Sequence, residues 1–175
     1  MKSRYRKYLA EFVYGGIDGA ITTLAVMSGA FGAALGPLVI IILGVANLLA
    51  DGFSMGVSSF LSKRSANDLV QKHDHVNPDY KSPFATGLAT FISFVVIGFI
   101  PLFSFVLAVP FPALNAHAFT LSVILTACAF IIIGAIRGAV VNKNKVITAL
   151  ITLLIGGTAA TIAFFVGAFL HGLLV

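Results

Sequence analysis

Asn47, Asp51 and Met55 lie at i, i+4 and i+8 within a long apolar run. On an α-helix that spacing stacks an amide, a carboxylate and a thioether on one face. Amide and carboxylate oxygens suit hard or borderline divalent cations, whereas a thioether adds little for Mg²⁺ or Ca²⁺. The mixed set favours a transition metal such as Fe²⁺. A second carboxylate, Asp18, lies in the preceding apolar run, within Gly15-Gly16-Ile17-Asp18-Gly19. Methionine in an apolar helix is also ordinary packing material, and a lone membrane aspartate can serve only as a structural hydrogen-bonding group. Two aspartates, with Asn and Met in helical register, favour a metal site at Asp18, Asp51, Met55 and Asn47.

The elements that must position these residues are membrane helices. The chain has 175 residues, 59% hydrophobic and 10% charged, and its mean hydropathy is +1.05. That balance excludes an ordinary soluble fold. Several apolar runs reach the length of about 20 helical residues that crosses a hydrocarbon layer of about 30 Å. They are continuously apolar rather than alternating, which excludes a β-barrel. The expected fold is an all-α membrane protein: one domain over residues 1–175 with five transmembrane helices, at 8–35, 38–61, 84–107, 118–141 and 146–174. Gly36-Pro37 separates the first two as an antiparallel hairpin, and residues 62–83 form a solvated loop. The basic N-terminus precedes a run that carries Glu11 and Asp18, so it introduces a retained helix rather than a signal peptide.

All 11 Lys and Arg residues fall in the N-terminal tail (Lys2, Arg4, Arg6, Lys7), the loop (Lys63, Arg64, Lys72, Lys81) or the fourth connection (Arg137, Lys143, Lys145). With five spans these positions share one side of the membrane. The positive-inside rule makes that side, and the N-terminus, cytoplasmic and places the C-terminus opposite. The net charge of +5 therefore reports orientation, and no nucleic-acid partner is expected. Arg137 should snorkel to the surface. Cys128 has no partner for an intramolecular disulfide and reads as a small buried hydrophobe.

Asp18 and Asp51 are each ten residues from the cytoplasmic end of their spans, a depth of roughly 15 Å at 1.5 Å per residue. A charged group there is costly and usually faces a bundle interior or a pathway. The later spans carry no deep acid, so ion chemistry is confined to the first hairpin. The glycines around Asp18 weaken that helix locally and leave room for an ion, water or a neighbouring backbone. Gly15 and Gly19, Gly32 and Gly36, Gly52 and Gly56, and Gly134 and Gly138 are spaced for close helix packing. Pro101 marks a kink or helix end.

Glu11-Phe12-Val13-Tyr14-Gly15-Gly16-Ile17-Asp18-Gly19, followed by Ala46-Asn47-Leu48-Leu49-Ala50-Asp51-Gly52-Phe53-Ser54-Met55-Gly56, resembles the two signature stretches of the vacuolar iron transporter family. The resemblance implies a homodimer of five-helix subunits that moves Fe²⁺, sometimes Mn²⁺, out of the cytoplasm in exchange for protons. It implies that Asp18 is the acidic residue of the first helix and Met55 the metal-contacting methionine of the second. Two features depart from the family pattern. Asn47 stands where many relatives have a glutamate, with Asp51 one turn away. The connection over residues 62–83 is short and glutamate-free, so it lacks the long cytoplasmic metal-binding extension of many eukaryotic relatives. His73-Asp74-His75, with Asp68 and Asp79, reads as a solvated loop, and weak metal capture is the alternative.

The expected function is a secondary transporter in which protons and a divalent metal compete for the same carboxylates. The alternatives are a non-transporting membrane scaffold or oligomeric subunit, and a passive cation or proton channel. No nucleophile with a placed base, phosphate loop or zinc motif suggests an enzyme. No resident cofactor is expected, the metal being cargo. The compact chain suggests a prokaryotic inner membrane, or a vacuolar or other endomembrane if the source is eukaryotic. His117 and His171 fall near the non-cytoplasmic face, where they could assist metal release.

Overall fold

The computed structural model of the chain describes residues 7–72 and 81–174. Its elements are α1 (Leu9–Gly32), α2 (Pro37–Lys72), α3 (Pro83–Ala108), a short 3₁₀ helix (Pro112–His117), α4 (Ala118–Val140) and α5 (Lys145–Leu174). Among the described residues, five helices are long and apolar enough to cross a membrane, which makes the chain a multi-pass integral membrane protein. Successive helices alternate in direction, so Lys7, Lys63, Arg64, Lys81, Arg137, Lys143 and Lys145 share one end of the bundle, called here the basic end.

Helix α2 runs further than its apolar pattern. Residues 62–72, expected as loop, are helical, because the stretch from Ser62 to Lys72 contains neither glycine nor proline to stop it. His73-Asp74-His75 and Asp79 lie outside the described residues, and Asp68 is exposed on the helical extension.

Helix α3, which carries no acid, is the central wedge of the bundle. It packs most extensively against α1 and then against α2, while α1 and α2 meet each other over a smaller area. The α1–α3 crossing is close because it is built from glycines. A Cβ on Gly15 would meet the Thr90 carbonyl oxygen at 2.5 Å, one on Gly19 would strike the Phe94 carbonyl, and Gly98 approaches the Gly19 carbonyl. In lipid, such close packing replaces the hydrophobic drive that holds soluble helices together. The glycines therefore serve packing, and α1 is unbroken through Asp18 rather than locally interrupted. Of the spaced pairs, Gly52 and Gly56 meet α3, and Gly134 and Gly138 meet α5. Gly32 abuts Phe164, whereas Gly36 faces open space.

The α1–α2 turn also differs in detail from the expectation. The left-handed residue is Ala34, at φ 55°, and not Gly36. Leu35 N–H donates to the Ala30 carbonyl and Ala34 N–H to that of Phe31, each at 3.0 Å, the paired bonds of a Schellman motif. Pro37 then opens α2, where its missing N–H costs nothing. Pro101 is buried inside α3, which continues to Ala108, so it does not end the helix. Cys128 is exposed on the outer face of α4 rather than buried.

Candidate metal pathway

Asp18 lies on α1, and Asn47, Asp51 and Met55 follow one another along α2. Asp18 and Asp51 are both half-buried and lie within electrostatic reach of each other across the two helices. Among the described residues the ion pair is Lys81–Glu11, and no basic side chain neutralises either deep aspartate.

One turn further from the basic end, Asn47 Nδ2 lies 3.5 Å from the hydroxyl oxygens of Thr22 and Thr23. Thr22 in turn donates to the main-chain carbonyl of Asp18 at 2.9 Å. The amide thus fixes α2 to the turn that carries Asp18, and its nitrogen points at α1. Its oxygen, the atom that could serve a hard cation, is not used in these bonds.

One turn nearer the basic end, Met55 packs against the cluster containing Leu48, Phe94 and Leu102. It also lines a pocket of about 370 Å³ with Glu11, Tyr14, Ser59, Lys63 and Thr86. Along α2 the row thus runs from Met55, at this polar pocket, to Asp51 and then to Asn47. Among the described residues no three His, Cys, Asp or Glu side chains converge into a cation cage. The candidate donors on these residues are two carboxylates, an amide oxygen and a thioether. His117 and His171 are exposed at the opposite end of the bundle, away from this row.

The structure adds residues that the sequence reading did not select. Thr22 follows Asp18 by one helical turn, and Glu11 precedes it by two, so both share its face; that register was available from the sequence. Thr86 lies on α3 and Lys81 in the connection just before it, and neither carries a local signal.

A model of the VIT family matches residues 9–76 and 69–168. The chain belongs to the VIT family. Within it, the chain is 27% identical to the vacuolar iron transporter of Plasmodium berghei, covering 94% of this chain and 83% of that protein. It is 25% identical to the vacuolar iron transporter of Toxoplasma gondii, covering 94% and 74%. A shorter match to the Plasmodium falciparum vacuolar iron transporter is 39% identical over 62 residues. The first two alignments run to 226 and 225 positions, more than the 175 residues available, so these VIT relatives carry residues that this chain lacks. The two matched segments overlap at residues 69–76, by the end of α2.

Proposed function

We propose that this VIT-family chain is a secondary transporter that moves Fe²⁺, or a similar divalent transition metal such as Mn²⁺, out of the cytoplasm in exchange for protons. The observation that carries the reading is the pairing of two deep, un-neutralised carboxylates, Asp18 and Asp51, in line with a thioether that opens into a polar mouth. The names of the VIT relatives support iron as cargo. Protons and a divalent cation compete for the same carboxylate oxygens, and exchange follows from that competition.

The basic end is cytoplasmic by the positive-inside rule, so the metal enters past Met55. The incomplete shell in one protomer favours a homodimer, in which two-fold pairing would set the α1–α2 face of one subunit against its partner's. The apolar Leu49, Phe53 and Val57 on α2 are exposed in the single chain, as either a dimer contact or a lipid contact requires. The chain would work as one five-helix unit in a cell membrane or an endomembrane.

Purified protein in liposomes, with Fe²⁺ outside and a pH-sensitive dye inside, tests the reading. Metal uptake should be accompanied by proton movement in the opposite direction and should slow when the pH gradient is collapsed. Saturable uptake indifferent to the gradient would remove proton coupling, and non-saturating flux would indicate a channel.

A further inference from the structure

Two residues that line the mouth pocket, Glu11 and Thr86, each carry a buried oxygen without a hydrogen-bond partner, Oε2 and Oγ1 respectively. Thr86 is only 5% exposed. A buried polar oxygen left unpaired is costly, and two on residues that line one pocket point to a place where a cation would gain ligands. The other oxygen of the same carboxylate, Glu11 Oε1, accepts from Lys81 Nζ at 2.9 Å, with both side chains largely shielded from solvent. Lys63 lines the same pocket, so a second basic side chain shares the mouth with Glu11.

The main chain at Lys81 is pinned on both sides. Asn67 Nδ2, on the extension of α2, donates to the Lys81 carbonyl at 3.1 Å. The Ser82 N–H donates to Tyr8 Oη at 3.2 Å. The side chain is therefore the movable part: a flexible stem carrying a single, strongly hydrated charge.

We propose that Lys81 is a tethered cation that occupies Glu11 while the mouth is empty and must be displaced by an incoming divalent cation. It thereby sets the metal concentration at which the mouth fills. The inference rests on reading the basic end as the metal entrance. A divalent ion at Glu11 Oε2 and Thr86 Oγ1 cannot share the carboxylate with an ammonium group 2.9 Å from Oε1 without strong like-charge repulsion. Lys81 then swings towards water. Monovalent ions, with half the charge, compete less well, so the latch also favours divalent cargo.

The test is equilibrium Mn²⁺ binding to the full-length protein in detergent, read from the free-Mn²⁺ electron paramagnetic resonance signal. Lys81→Gln should tighten binding about three- to tenfold, the scale of one partly shielded ion pair. In a Glu11→Gln background the same change should do nothing, and Lys63→Gln should shift affinity by less than Lys81→Gln. Unchanged or weaker binding by Lys81→Gln, or an equal gain in the Glu11→Gln background, would overturn the proposal. A second measurement uses the wild-type protein alone, in case Lys81→Gln does not fold. Saturating Mn²⁺ should increase acylation of Lys81 by a succinimidyl ester, read by mass spectrometry, and no increase would overturn the proposal. Neither readout needs transport. Tighter binding by Lys81→Gln without flux in wild-type liposomes would sustain the latch and overturn the transporter reading; normal flux without either effect would overturn the latch alone.

Discussion

Asn47 on α2 and Thr22 on α1 meet at 3.5 Å, and Thr22 passes the contact on to the Asp18 carbonyl. Asn47 thus acts as a strut between the helices that carry the two aspartates. The long donor–acceptor distances, the second being the equal approach to Thr23, mark weak bonds. Their value lies in fixing the register of α2 against α1.

That role predicts a modest energetic coupling. A double-mutant cycle of Asn47→Ala and Thr23→Ala should give about 0.6 kcal/mol, the average for hydrogen bonds between membrane helices. The measurement is unfolding in mixed micelles. Strict additivity of the two changes would show that the contact does not form.

The glycine crossing predicts a sharp contrast between two substitutions of one kind. Gly19→Ala drives a Cβ into the Phe94 backbone and should cost about 1–3 kcal/mol by overpacking. Gly157→Ala meets nothing within 4 Å and should be neutral or stabilising by up to about 1 kcal/mol through helix propensity. Thermal denaturation of the two purified proteins makes the comparison, and equal effects would refute the α1–α3 packing.

Ala34 in the left-handed region offers a stabilising change. Ala34→Gly should raise stability by about 1 kcal/mol by relieving a conformation that costs an L-residue about 1–2 kcal/mol, partly offset by the greater freedom of glycine when unfolded. A rise in melting temperature checks it, and a fall would contradict the turn geometry. Asn142, also left-handed at φ 53°, is a residue type that tolerates the conformation and gives the matching cap at the end of α4.

The five spans and the shared helical register of Asn47, Asp51 and Met55 were legible because apolar length and helical register are local properties of the chain. The wedge position of α3 was not. It depends on Gly15, Gly19 and Gly98 meeting across two helices, and small residues alone do not name their partner. The helical extension to Lys72 is hidden by its polar composition, which resembles a loop although the stretch contains no glycine or proline to stop the helix. The Glu11–Lys81 pair joins residues 70 apart in sequence, beyond the reach of spacing arguments, whereas the placement of Glu11 on the Asp18 face could have been read from its two-turn separation. Cys128 was misplaced because a helix that is apolar all round gives no sign of which face meets lipid.

The central claim is that the two deep carboxylates carry metal and protons together. The most direct measurement is simultaneous Fe²⁺ uptake and proton counterflow in proteoliposomes, comparing the wild-type protein with Asp18→Asn and Asp51→Asn variants shown by size-exclusion chromatography to be folded. Wild-type protein should show both fluxes, and Asp18→Asn should lose both together, with Asp51→Asn strongly reducing them. Fe²⁺ uptake by Asp18→Asn at the wild-type rate, with proton movement intact, would contradict the account.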